Sequence, residues 1–376
     1  MADFICIYLF LMAMGCSYLL LRLTRGLFCE RGFLDQPGQR KIHQTAIPPS
    51  GGIGIMIALM LITGLHLALL DPFKEFLVRL EIFRYNPSLF TPHEGLNKLV
   101  AVFAGGVLIW ISGLLDDLNK DRDMALFKFS IQLAAASTLV LLGDLRISFL
   151  PWDWANILVS LLWITGVTNA FNLLDNMDGL SAGTALTTSI ALFLSAFIQG
   201  QYLVCFFMAT LAGSLCGFLP HNFNQKKKIF LGDNGALFLG FMISSITLFE
   251  DFAAQSSNSL YPILIPLLVL TVPLADTFTV IITRIKNRKP VWVGDTNHLS
   301  HRLVRAGFNN YQAVALLCLI NLSCGLGSVV LLEVNPLMSM VVVLNNLVSF
   351  LLLFLLILFK KKARKEPVPD RDHNAA

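Results

Sequence analysis

The sequence is short of charge. Asp, Glu, Lys and Arg make up 14% of its 376 residues, where a soluble domain of this size carries roughly a quarter. That scarcity excludes an ordinary soluble globule. Cysteine is sparse and scattered, at Cys6, Cys16, Cys29, Cys205, Cys216, Cys318 and Cys324. No two form a CxxC pair and none clusters with His, which excludes a disulfide framework and a zinc site. Most lie in apolar runs, where Cys acts as a small hydrophobe. The pattern of a cleavable leader is also missing. The chain opens on Asp3 rather than a basic stretch, and no small-residue cleavage motif follows. Internal repeats are absent, so a single domain is expected.

What is abundant is apolar sequence: 55% hydrophobic residues and a mean hydropathy of +0.69. The apolar runs are too long and continuous for barrel strands, which alternate over about ten residues. A bilayer offers backbone polar groups no water, so the runs must be helices. The expected fold is an all-α polytopic membrane protein. It has about eleven transmembrane spans of roughly twenty residues each, centred near Met12, Leu59, Leu108, Ala135, Trp163, Leu192, Leu211, Ile243, Leu270, Leu322 and Phe350. Residues 1–359 form one multi-span domain, and 360–376 form a basic tail expected to be disordered.

The net charge of +4 is unevenly placed. The loops after odd-numbered spans, Arg22–Ser50, Asp116–Phe127, Asn172–Gly179, Pro220–Asn234 and Arg284–Asn310, are polar and mostly basic. Those after even-numbered spans have little net charge or are acidic. The positive-inside rule makes the first set cytoplasmic, with the N-terminus outside and the C-terminus inside. Basic loops of this kind report topology, so a lipid bilayer and no nucleic acid is the expected environment.

Carboxylates at span ends are costly and call for a reason. Asp116 and Asp117 end the third span, Asp175 and Asp178 follow the fifth, Asp233 precedes the eighth, and Asp276 lies inside the ninth. Acids converging on one face suit a hard divalent ion. Mg²⁺ needs only one or two carboxylates plus waters and substrate phosphates. Phosphoryl transfer needs such an ion to neutralise charge. The plainer reading, acids that terminate helices and pair with nearby Lys or Arg, accounts for any one of them more easily than for the set.

Six blocks then appear in order. They are Asp35-Gln-Pro-Gly-Gln-Arg-Lys-Ile-His43 with Pro48-Pro-Ser-Gly-Gly52; Gly113-Leu-Leu-Asp-Asp117; Asn169-Ala-Phe-Asn-Leu-Leu-Asp-Asn-Met-Asp-Gly-Leu180; Phe230-Leu-Gly-Asp-Asn-Gly235; Pro273-Leu-Ala-Asp-Thr277; and His298-Leu-Ser-His-Arg-Leu303. The series resembles the polyprenyl-phosphate N-acetylhexosamine-1-phosphate transferases of glycosyltransferase family 4. The resemblance implies a helical bundle with a cytoplasmic active-site cleft. It implies transfer of a sugar 1-phosphate from a UDP-sugar donor to a polyprenyl phosphate acceptor, with release of UMP. The cofactor is Mg²⁺, with Mn²⁺ able to replace it.

The same resemblance assigns Asp233 and Asn172 to the metal. It assigns Asp175, Asp178 and Phe230 to the nucleotide sugar, with Phe230 stacking on uracil or serving as an interfacial anchor. Asp116 and Asp117 match the family's catalytic pair, which either deprotonates the acceptor or organises metal and charge. His298, His301 and Arg302 in one basic loop, and Arg40, Lys41 and His43 in another, suit phosphate oxygens, Arg by its bidentate fork, while the plainer reading of both clusters is topology charge alone; Lys128, grouped with them as phosphate-binding, matches a position of the family pattern. Lys128 is followed four residues on by Gln132, also in the family pattern. In the last block, Asn297-His-Leu-Ser-His-Arg-Leu303 resembles the branch that uses UDP-N-acetylglucosamine. It differs from the three-His run of the branch that uses UDP-MurNAc-pentapeptide. Ser300 stands where many members have a further His.

A CDP-alcohol phosphatidyltransferase would need Arg after Asp178-Gly179, and Leu-Ser-Ala-Gly follows instead. A lipid-linked sugar transporter would favour repeats and a broken helix at mid-membrane; Asp276 behind Pro273 is the one feature it claims. A homodimer is left open by the sequence.

Overall fold

The computed structural model describes residues 2–36, 45–68, 93–119, 124–249, 261–289, 297–332 and 339–351. Among these residues every regular element is a helix, apart from one isolated antiparallel bridge between Asp35 and Ile47. The helices are α1 (Ala2–Glu30), α2 (Gly51–Ala68), α3 (His93–Leu118), α4 (Ala125–Ser137), α5 (Asp153–Leu174), α6 (Leu180–Ile198), α7 (Tyr202–Asn222), α8 (Gly232–Phe249), α9 (Tyr261–Val269), α10 (Thr271–Lys286), α11 (Leu299–Arg305), α12 (Asn310–Val330) and α13 (Ser339–Leu351). Seven of them are long and apolar enough to cross a membrane, and α4 makes an eighth with its helical continuation Thr138–Leu142, while the apolar stretch of α2 and all of α13 are shorter. The expected tail at 360–376 lies outside the described residues.

Helix α8 is the axis of the bundle. It packs against α3 and α5 on two sides, and it is the most buried of the long helices. Its buried Phe238, Phe241 and Met242 meet α3 where Gly105 and Gly106 leave no side chain in the way. Helix α1, mostly exposed along its length, is held to the bundle by α7. There Gly213 and Gly217, four residues apart, let the backbones touch. A Cβ on Gly213 would lie 2.2 Å from the Phe10 carbonyl, and one on Gly217 would lie 2.5 Å from the Met14 carbonyl. Lipid gives no hydrophobic drive between helices, so close backbone approach and dispersion must hold them.

The ninth expected span is broken in two. The chain turns at Leu270 between α9 and α10. Pro273 has no N–H to give the Val269 carbonyl four residues back, and its ring crowds that carbonyl. The Thr188 hydroxyl of α6 donates to Val269 O instead, at 2.9 Å. The Val272 N–H finds the Asn321 side-chain oxygen of α12 at 3.2 Å. The Asn321 amide donates in turn to Thr187 and Thr188, both at 3.0 Å. A bilayer interior tolerates irregular backbone where protein groups replace the lost bonds, and these do. The short helix α11, inside what was expected to be a basic loop, is a second departure.

Candidate active site

The ends of α3, α5 and α7 and the starts of α4, α6 and α8 meet at one end of the bundle. The site grows from the start of α8. Gly232 sits at φ +77°, a left-handed conformation that glycine adopts without steric cost. A Cβ there would lie 2.7 Å from the Asp117 carboxylate. Asp117, at the end of α3, accepts from the backbone N–H of Asp233 at 3.2 Å and of Asn234 at 3.0 Å. It also accepts from the Asn234 side-chain amide at 2.6 Å. It therefore satisfies two of the N–H groups that a helix start leaves unpaired, and adds a charge that suits the helix dipole. The second hydrogen of the Asn234 amide goes to Pro49 O at 2.9 Å. The Phe230 N–H donates to Pro48 O, and Gly51 and Gly52 donate to Phe230 and Leu231 carbonyls. Three blocks distant in sequence become one platform.

Lys128, in the first turn of α4, reaches over this platform. Its Nζ lies 2.9 Å from Asp116 and 2.8 Å from Asp233. One ammonium thus bridges carboxylates from α3 and α8. The Asn172 side chain, from the end of α5, lies near enough to Asp233 to favour its charged form. One turn below Lys128, Gln132 is buried and exchanges amide bonds with Asn169 at 2.6 and 3.4 Å. That pair fixes α4 to α5 directly beneath the charged cluster.

The loop from Asp175 to Gly179 borders the cluster. Asn222 clamps it, accepting from Gly179 N–H at 2.6 Å and donating to Ile229 O at 2.9 Å. Gly179 has φ +75°, and a Cβ on it would strike the Phe223 ring at 2.2 Å. Burial pushes the Asp175 carboxyl well above the usual carboxylate range, and the charges of Asp233, Asp117 and Asp178 add to the effect. Asp178 pairs with Lys228, whose ammonium lies 5.3 Å from the centre of the Phe230 ring. Two of the three expected nucleotide residues are thereby linked through Lys228, a residue the sequence reading did not single out.

The His block joins from the other side. Asp276 of α10 is 1% exposed and His298 is 3% exposed. His298 Nδ1 lies 2.6 Å from one Asp276 oxygen, and Leu299 N–H donates to the other at 2.6 Å. Ser300 donates to the Asn176 side-chain oxygen at 2.6 Å, tying α11 to the Asp175–Gly179 loop. Arg302 reaches back to Asn297 O at 2.9 Å and to the Thr283 hydroxyl of α10 at 3.1 Å. His301 stands edge-on to His298. Burial lowers its pKa from 6.5, with His298 and Arg305 adding to the effect. Arg40, Lys41 and His43 lie outside the described residues.

Comparison with known proteins now bears on this arrangement. Residues 99–250 match the model of glycosyl transferase family 4. The chain is 31% identical over 321 residues to the probable undecaprenyl-phosphate N-acetylglucosaminyl 1-phosphate transferase of Bacillus subtilis, covering 83% of this chain and 81% of that protein. The chain belongs to glycosyl transferase family 4. Two more distant relatives extend the picture. The decaprenyl-phosphate N-acetylglucosaminephosphotransferase of Mycobacterium leprae is 29% identical over 75% of this chain and 73% of its own length. The undecaprenyl-phosphate alpha-N-acetylglucosaminyl 1-phosphate transferase of Escherichia coli K12 is 26% identical over 84% and 80%.

For a family 4 protein the donor set matters. Among the described residues, no three His, Cys, Asp or Glu side chains gather into a ready metal cage. Asp233, its neighbour Asn172, and Asp116 are hard oxygen donors around a point that already holds an ammonium. One or two carboxylates with room for phosphate oxygens is what Mg²⁺ takes, whereas Zn²⁺ or Ca²⁺ would want more protein ligands. The residues fit Mg²⁺.

Besides Lys228, two features of the site were only half legible in the sequence. Asp276 was visible as a charge inside an apolar span, but its partner was not. Ser300 was visible as a departure from the family pattern, and its bond to Asn176 gives that departure a structural role.

Proposed function

We propose that this chain transfers N-acetylglucosamine 1-phosphate, or a related N-acetylhexosamine 1-phosphate, from the UDP-sugar to undecaprenyl phosphate at the cytoplasmic face of a bacterial inner membrane. The observation that carries the reading is the Asp116–Lys128–Asp233 cluster, set beside the Asp175–Gly179 loop at the end of the bundle. Relatives named for the same transfer support it. An oxygen of the lipid phosphate attacks the donor phosphorus that carries the sugar. The bridge to the uridine phosphate breaks, UMP leaves, and a lipid diphosphate sugar remains.

Positioning and charge neutralisation do most of such a reaction. Asp233 and Asn172 would hold Mg²⁺, which supplies charge neutralisation at the diphosphate. Lys128 adds a cation at the same point. Asp116 shares the cluster and faces the acceptor, while Asp117 holds the start of α8 in place. His298, oriented by Asp276, and His301 and Arg302 offer donors to the diphosphate from the opposite side. The broken helix α9–α10 is the feature a transporter would use. Asp276 does not behave as an open ion site there, since both its oxygens are engaged.

The test is radiolabel transfer with purified protein, undecaprenyl phosphate and Mg²⁺, comparing UDP-N-acetylglucosamine with UDP-MurNAc-pentapeptide. Metal-dependent lipid labelling from the first, with UMP released, is the expected result. Labelling only from the second would keep the chemistry and change the sugar. Labelling from neither, with protein intact, would leave another UDP-sugar to test and would raise the transporter reading. Asp233→Asn should abolish transfer, a loss of at least about a thousandfold for a metal-held transition state, while the protein still elutes as a folded species.

A further inference from the structure

The following rests on the metal-dependent reading above. Lys128 makes two short contacts, 2.9 Å to Asp116 and 2.8 Å to Asp233. The ammonium contacts one oxygen of each carboxylate, Oδ2, and a divalent ion ligated by Asp233 would sit within a few ångströms of it. Two cations at such separations repel strongly in a partly buried site, so each weakens the other's hold on the carboxylates. The lysine can yield without cost to the fold. Its side chain is a flexible four-carbon stem, and the Gln132–Asn169 pair anchors α4 one turn away.

We propose that Lys128 is an internal competitor for the divalent ion: ion and ammonium exchange on Asp116 and Asp233, and the displaced ammonium turns to the phosphate oxygens of the donor. The ion alone then binds weakly, because it must break two ion pairs. With donor present, the ammonium gains new anionic partners and the exchange becomes favourable. Linkage makes the effect reciprocal, so donor tightens ion binding and ion tightens donor binding. A lysine that served only as a phosphate ligand would have no effect on ion affinity when donor is missing.

The experiment is Mn²⁺ binding followed by electron paramagnetic resonance on the full chain in detergent, without nucleotide. Lys128→Met should bind Mn²⁺ more tightly than the unaltered protein, on the order of tenfold, because a unit positive charge has left the carboxylates. Adding UDP should tighten Mn²⁺ binding in the unaltered protein and much less in Lys128→Met. Equal or weaker affinity in the variant would overturn the exchange. A measurement on the unaltered protein covers a variant that fails to fold. Acetylation of Lys128, read by mass spectrometry against the exposed Lys226, should rise when Mg²⁺ is added alone, and an unchanged ratio would overturn the exchange equally. Failure of the underlying reading looks different: no Mn²⁺ bound by either protein, and no lipid labelled from UDP-N-acetylglucosamine.

Discussion

Successive residues on a helix project about 100° apart, and that angle divides the work of Asp116 and Asp117. Asp116 turns to Lys128. Asp117 turns to the start of α8, where it takes three N–H bonds. Two adjacent aspartates look identical in sequence, so their roles could not be separated there. The structure predicts different failures. Asp117→Ala should cost about 2 kcal/mol of stability, the scale of charge-assisted bonds left unmade, and lower the melting temperature. Asp116→Ala should leave the melting temperature nearly unchanged and remove most turnover. Equal thermal losses would erase the distinction. His301 carries a pH prediction of its own. Its pKa is lowered from 6.5, by burial first and then by His298 and Arg305, so the ring is neutral at neutral pH. Protonation arrives only as pH falls below that value, and a cationic ring attracts a diphosphate more strongly. Donor affinity should therefore rise as the medium is acidified through that range. His301→Ala should bind donor several-fold more weakly, the loss of about one hydrogen bond, and should flatten the acid-side rise. Titration of nucleotide binding across pH in both proteins checks it.

At the scale of elements, what was legible followed from hydropathy. Each of the long apolar runs could be located because a bilayer demands length and lack of charge, and both are written in one stretch of chain. The break at Leu270 was not, although Pro273 stood in plain view. A proline permits a break; what completes one is a set of replacement bonds, and here they come from Thr188 and Asn321, about eighty and fifty residues away along the chain. Helix α11 escaped for a related reason. Its apolar face, Leu299 and Leu303, is too short to show a period; it docks by burying those two leucines against Leu174, Val272 and Leu317 and by the bonds to Asp276 and Asn176. Asn321→Leu tests the break directly. It leaves the Val272 N–H unpaired and strips the two threonine hydroxyls of a partner. The expected cost is about 1–2 kcal/mol, read as a lower melting temperature in detergent. Because α10 carries Asp276, and Asp276 orients His298, the same variant should also slow transfer. A purely local role for the break would change stability and leave turnover alone.

At the scale of the whole molecule, the candidate site and the orientation in the membrane are a single question. The acids, the Asp175–Gly179 loop and α11 all belong to one end of the bundle, and a nucleotide sugar is made in the cytoplasm. The proposed transfer would need that end to face inward, and the loop charges give the same expectation independently. Cys29 gives a probe that needs no new cysteine. It is exposed in the last turn of α1, on the same side as Arg31 and the Pro48–Gly52 segment that docks on Phe230 and Leu231. The other cysteines lie within the helices of the bundle. A membrane-impermeant maleimide should leave Cys29 unmodified in intact cells and modify it in inverted vesicles, with Cys29→Ser as the control for labelling elsewhere. Labelling from outside the cell would place the site on the wrong side of the membrane for its donor. It would contradict the proposed transfer even if every local contact around Asp233 were correct.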